Sequence, residues 1–144
     1  MGMLNVGRIQ EGFVLDHIQA GKSMDIYNYL HLGDMDCCVA IIKNARSAKM
    51  GKKDIIKIGQ VIDLDFAVLG YLDPGITVNV IRDGELAKRE HLSLPERVTD
   101  IIRCKNPRCI TMTEPGILQQ FRLTDRKKKI YRCVFCDSEA PTEL

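Results

Sequence analysis

Four of the six cysteines stand in two close pairs, "CKNPRC" (Cys104 and Cys109) and "CVFC" (Cys133 and Cys136), separated by 23 residues. Zinc binds four ligands at the corners of a tetrahedron, and two short cysteine loops from separate chain segments supply that geometry. The same residues would also serve as two disulfides or four buried thiols. The N-terminal "MGMLNVGRIQ" lacks a basic region followed by an apolar stretch, so no secretion signal is expected. Val6 stands where a myristoylation motif needs Ser or Thr. The expected compartment is the cytosol, where structural disulfides are rare and paired cysteines more often hold metal. Four thiolates fill every position, which predicts one structural zinc ion with no place for water or substrate. Its net negative charge is offset by Lys105, Arg108 and Arg132. Cys37 and Cys38 are neighbours that would point to opposite faces of a strand, and are expected to be buried, inert thiols.

No other residues assemble into a catalytic set. "GKS" (21–23) resembles the end of a phosphate loop, but Asp16 stands five residues before Gly21, where that loop needs glycine. Asp16 and His17 could be a base and its orienter, yet strand neighbours face apart and no nucleophile follows. His31 and His91 have no partner at an interpretable spacing. The "RKKK" run (126–129) reads as a solvated hairpin tip. A non-enzymatic, binding role is therefore expected. The stretch 43–57 carries six Lys or Arg and one Asp. Lys53 and Lys57 would project from one sheet face toward a phosphate or ribose, with Lys88 and Arg89 completing the site. A solvated basic face is the alternative.

These residues need a scaffold. With 45% hydrophobic and 28% charged residues, the 144-residue chain can bury a core. Its apolar runs, "CCVAII" and "FAVLGYL", are too short to cross a bilayer. Strands are expected at 12–18, 36–44, 53–62, 76–81 and 85–92, with helices over 23–33, capped by Ser23, and 64–75. Asp83-Gly84 suits a tight hairpin turn. This order predicts an α+β fold: a ferredoxin-like antiparallel sheet with two helices on one face. Beyond Pro95 a second, small antiparallel domain should surround the zinc, with strands in "ILQQFRL" and "KIYRC" flanking a turn. The boundary is expected near Arg97, giving domains 1–97 and 98–144. From Arg103 to Cys136 there are nine Lys and Arg against two acids. With Phe121, Tyr131 and Phe135 nearby, this admits a zinc-ribbon nucleic-acid binder as the rival function.

"FVLDHI", "MGKKDIIKIG", "TVNVI", "SLPERV" and "CKNPRCI…EP…YRCVFC", in that order, resemble the regulatory chain of aspartate carbamoyltransferase. The resemblance runs from about Val6 to Cys136. It implies a non-catalytic subunit in the control of pyrimidine biosynthesis, with no nucleic-acid or membrane partner. The N-terminal domain would bind ATP, CTP or UTP as effectors and form a homodimer. The zinc domain would dock on the catalytic chain. At matched positions, Val6 and Ile9 would lie near the base, Val14 would line the pocket, and Asp16 and His17 would lie by ribose and phosphates. Lys57 would reach ribose and base, Asn79 and Ile81 would close the floor, and Arg89 would take the phosphate-binding lysine's place with Lys88 beside it. Gly7 and Gly84 replace an acidic and an aromatic residue of the family's pocket. At the docking surface Asn106 and Glu114 match, while Arg108 replaces an asparagine.

Overall fold

The computed structural model describes residues 9–141, so Val6 and Gly7 lie outside the described residues. The chain divides between Ser93 and Leu94 into two compact units. The first contains β1 (Gly12–Gln19), α1 (Ser23–Tyr29), β2 (Val39–Ser47), β3 (Gly51–Ile58), α2 (Phe66–Leu72), β4 (Thr77–Arg82) and β5 (Glu85–His91). Its sheet has the order β2-β3-β1-β4-β5, and every pairing is antiparallel. This is the expected split β-α-β arrangement with one strand added beside β4. Phe13, Leu15 and Ile18 of β1, Ile56 and Ile58 of β3 and Val78 of β4 are buried, as are Ile26 of α1 and Leu69 and Leu72 of α2. Each such side chain stabilises the fold by roughly 1.5–3 kcal/mol.

Strand β1 departs from simple alternation. Leu15 and Ile18 are both fully buried although they are three residues apart. A β-bulge resolves the conflict: Leu15 pairs with Ile56 and Ile18 with Asp54, so Asp16 and His17 together oppose Ile55. His17 takes a positive φ of 60° there. A second bulge in β2 lies between Ile42 and Ala45, where Asn44 also has a φ of 60°.

Asp54 ties these irregularities together. Fully buried, it accepts hydrogen bonds from the amides of Gly21 (3.1 Å), Ser23 (3.4 Å) and Asn44 (3.0 Å). Burial pushes its carboxyl upward, but the hydrogen bonds from Ser23, Asn44 and Gly21 outweigh it and hold the group below its ordinary value. Ser23, expected as the cap of α1, is instead its first residue, with Lys22 before it. The carboxylate that receives the first amides comes from β3. Helix α2 has a local cap, since Asp65 accepts from Ala67 and Val68.

Two glycines are sterically required. Asp83 and Gly84 have φ of 53° and 76°, the two positive angles of the tight turn expected between β4 and β5. A Cβ at Gly12 would collide with the Ile58 carbonyl. Cys37 and Cys38 correct an expectation: the first is half-buried and the second exposed, because β2 begins only at Val39 and runs along the sheet edge.

The second unit contains β6 (Arg97–Thr99), α3 (Ile110–Thr113), β7 (Gln120–Asp125) and β8 (Ile130–Cys133), with the sheet order β6-β7-β8. Val98, Phe121 and Cys133 stand side by side on its buried face. Buried Tyr131 donates its hydroxyl to the Pro95 carbonyl at 2.6 Å. One residue out of phase, Arg97, Arg122 and Arg132 form a row on the other face. Among the described residues no helix is long and apolar enough to cross a membrane.

Replacing Asp54 with Ala should leave three amides without their acceptor and destabilise the first unit by about 3 kcal/mol, read by urea unfolding. Because the folded carboxyl titrates below 3.8, its contribution is present above that pH and should be lost as pH falls below it.

Candidate metal centre and effector face

The Sγ atoms of Cys104, Cys109, Cys133 and Cys136 all lie within 4.8 Å of one another. Cys104 and Cys136 sulfurs are 3.5 Å apart, and those of Cys109 and Cys133 3.7 Å. All four cysteines are free. A tetrahedron of ~2.3 Å Zn–S bonds places its sulfurs roughly 3.8 Å apart, so the donor set fits one zinc ion. Cys109 leads into α3 and Cys133 ends β8, so each loop starts from a fixed element. The centre is closed and structural.

The row of arginines has a structural use here. Arg122 ion-pairs with the Asp137 carboxylate at 2.8 Å, and Arg132 donates to the Asp137 carbonyl (3.0 Å) and the Glu139 carboxylate (3.2 Å). Asp137 has a positive φ of 65° and its amide donates to the Cys133 carbonyl at 2.9 Å. The loop carrying Cys136 is thereby held from outside. Without metal, burial pushes Cys104 up to about 12 and also raises Cys133. The Ser138 hydroxyl, 3.3 Å from the Cys136 sulfur, draws that thiol down to about 6.

In the first unit, the sheet face opposite the buried residues carries a row in register: Lys57 beside Val14, Val14 beside Asn79, Asn79 beside Arg89. The Arg89 Nε donates to the Asn79 Oδ1 at 2.9 Å, and the Asn79 amide to the Val14 carbonyl at 3.3 Å. Ile81, two residues past Asn79, falls on the same face. The bulge brings both Asp16 and His17 there as well, where alternation alone had set them apart. His17 Nδ1 lies 3.1 Å from the Thr77 hydroxyl. Asp16 pairs with Lys53 at 2.9 Å, so Lys53 serves that carboxylate. Burial raises the Asp16 carboxyl, but the hydrogen bonds from Lys53 and from the His17 amide bring it below its usual range. Lys53 was expected on this face as a cation for phosphate or ribose, whereas Thr77 was absent from the expected site. The spacing of Leu15 and Ile18 was the signal that could have placed Thr77.

Lys88 is not brought to this row. It stands opposite Val80 and ion-pairs with Glu90 at 2.8 Å, on the other sheet face from Arg89. Ile9 is half-buried ahead of β1. Beside it, Gln10, Asp83, Gly84 and Glu85 line a cavity of about 270 Å³, closed by a bond from the Gly84 amide to the Gln10 carbonyl at 2.9 Å. In the second unit, Asn106 accepts from the Arg108 amide at 3.0 Å. Glu114 is exposed after α3, and Ile110, Met112 and Leu118 around it are exposed apolar side chains.

The chain thus joins an antiparallel sheet with a polar open face to a metal unit whose four thiolates leave no free coordination position. Residues 4–93 match the family model described as aspartate carbamoyltransferase regulatory chain, allosteric domain. Residues 96–143 match that described as the metal binding domain of the same chain. The protein belongs to the aspartate carbamoyltransferase regulatory chain family. It is 50% identical over 135 residues to the regulatory chain of Clostridium acetobutylicum, covering 94% of this chain and 92% of that one. It is 49% identical to that of Clostridium tetani, covering 94% of each. It is 42% identical to that of Bifidobacterium longum, covering 95% of this chain and 99% of that one.

Replacing Cys104 with Ser should abolish stoichiometric zinc in the purified chain, measured by atomic absorption, and loosen the second unit, because its folding is coupled to the ion. In the unsubstituted chain, chelator competition should show affinity falling as pH is lowered, since protons compete for the thiolates.

Proposed function

We propose that the first unit binds nucleoside triphosphates on its open sheet face, and that the second unit docks on the catalytic chain of aspartate carbamoyltransferase. Effector binding is thereby relayed to pyrimidine biosynthesis in the cytoplasm. The row Lys57–Val14–Asn79–Arg89 carries this reading. It sets two cations at opposite ends of a surface to which Val14 and Ile81 supply apolar contact for a base. Asn79 aims the Arg89 guanidinium, whose fork suits a phosphate. Asp16 and His17 flank the row as a carboxylate and an imidazole for ribose and phosphates. With Lys88 on the other face, the phosphate task falls on Arg89. Ile9, and Val6 outside the described residues, precede β1 as the base-side residues.

Two further contacts complete the proposal. Edge strand β2 leaves Val39, Ala40, Ile41 and Ile42 half-buried, and an apolar unpaired edge favours pairing with a second copy. Exposed Ile110, Met112 and Leu118 give the metal unit an apolar patch, with Asn106 and Glu114 as polar contacts to the catalytic chain.

Calorimetry with CTP and ATP should show Lys57→Ala and Arg89→Ala each weakening binding by roughly tenfold or more, the loss of one charge-assisted bond. Lys88→Ala should bind almost normally. Equal losses at positions 88 and 89 would refute the assignment of faces, and unchanged affinity in all three variants would refute the site. Sedimentation at micromolar concentration should give a dimer; a monomer would remove β2 as the contact.

A further inference from the structure

We propose that Gln119 is a metal-positioning residue that holds the Cys104–Cys109 loop in its ligating shape. It lies just before β7, outside both cysteine pairs, and is only 7% exposed. A buried amide group must find partners, and those of Gln119 all belong to the segment that binds metal. Its Oε1 accepts from the Cys104 amide at 3.0 Å and from the Thr111 hydroxyl at 3.3 Å. Its Nε2 faces the Met112 sulfur at 3.3 Å. The orientation of the amide follows from chemistry: a backbone N–H only donates, so the atom facing Cys104 must be the oxygen.

Thr111 extends the connection. It is buried, and its hydroxyl is 3.1 Å from the Cys109 sulfur. One amide oxygen therefore holds the backbone of the first ligand directly, and it shares with the sulfur of the second the single proton of the Thr111 hydroxyl, which lies within reach of both. The loop between these cysteines, with Pro107 and exposed Lys105 and Arg108, has little apolar burial to shape it. It has one internal backbone bond from Cys109 to the Asn106 carbonyl at 3.1 Å. Gln119 supplies the external anchor, as Arg122 and Arg132 do for the loop carrying Cys136. Groups that orient metal ligands in this way change metal affinity by roughly 10–100-fold when removed.

The test uses the full chain and zinc itself. Gln119→Leu keeps most of the volume but loses the acceptor, and a chromophoric chelator should report zinc binding weakened by about tenfold. Gln120→Leu, one residue on and directed to the other face, should bind normally. Cobalt substitution supplies a readout that a packing role would not move: the thiolate-to-cobalt absorption should shift in Gln119→Leu and not in Gln120→Leu. Should Gln119→Leu fail to fold, Thr111→Val removes only the hydroxyl and should show a smaller loss of the same kind. If both fold, the double variant should lose less than the product of the single losses, since members of one network couple. Wild-type zinc affinity and cobalt absorption in Gln119→Leu, or in Thr111→Val where only that variant folds, would overturn the proposal. So would fully independent losses.

Discussion

Four sulfur atoms within 4.8 Å of one another govern the second unit. Its buried face offers Val98, Phe121, Tyr131 and few other large side chains, and a core of that size is marginal alone. The ion draws together the start of α3, the end of β8 and the two loops beside them, joining segments that the three short strands would not hold. Structural zinc contributes on the order of 10–16 kcal/mol in small peptides, comparable with the whole stability of an ordinary domain. The surrounding polar contacts are explained by this centre. Arg122 and Arg132 hold Asp137 and Glu139; Gln119 and Thr111 meet the other loop.

The first unit solves a different problem, that of burying both Leu15 and Ile18 in one strand. An extra residue is inserted, and the bulge places two polar side chains side by side on the open face. The adjoining bulge in β2 and the amides leading into α1 converge on Asp54. A buried carboxylate is costly unless fully bonded, and here its hydrogen bonds also shape the region beside the proposed effector face. Asp54 stabilises from within the bulge of β2 and the entry to α1, while the separate bulge of β1 gathers Asp16, His17 and Lys53 outside. Arg89 and Asn79 are held by regular pairing instead, which needs no such device.

Local chemistry was legible in the amino-acid sequence. The Cys104–Cys109 and Cys133–Cys136 spacings specify a metal site because short loops limit where sulfurs can point. Asp83-Gly84 specifies its turn because few residue pairs tolerate two positive φ angles. The β-α-β-β-α-β order followed from hydrophobic period and turn residues, which act over a few residues. What needed the tertiary structure was every feature set by pairing between distant segments. Ser23 had the right chemistry for a cap, but Asp54, thirty-one residues away, took the amides. Strand β6 is three residues long and is defined by its partner β7. Cys37 and Cys38 sit in an apolar run yet are not buried, because β2 lies at an edge. Lys88 and Arg89 were expected at one site, although as strand neighbours they face apart; alternation applied to Asp16 and His17 separated them wrongly. One inserted residue reverses a side chain's face, and only the register against β3 reveals it.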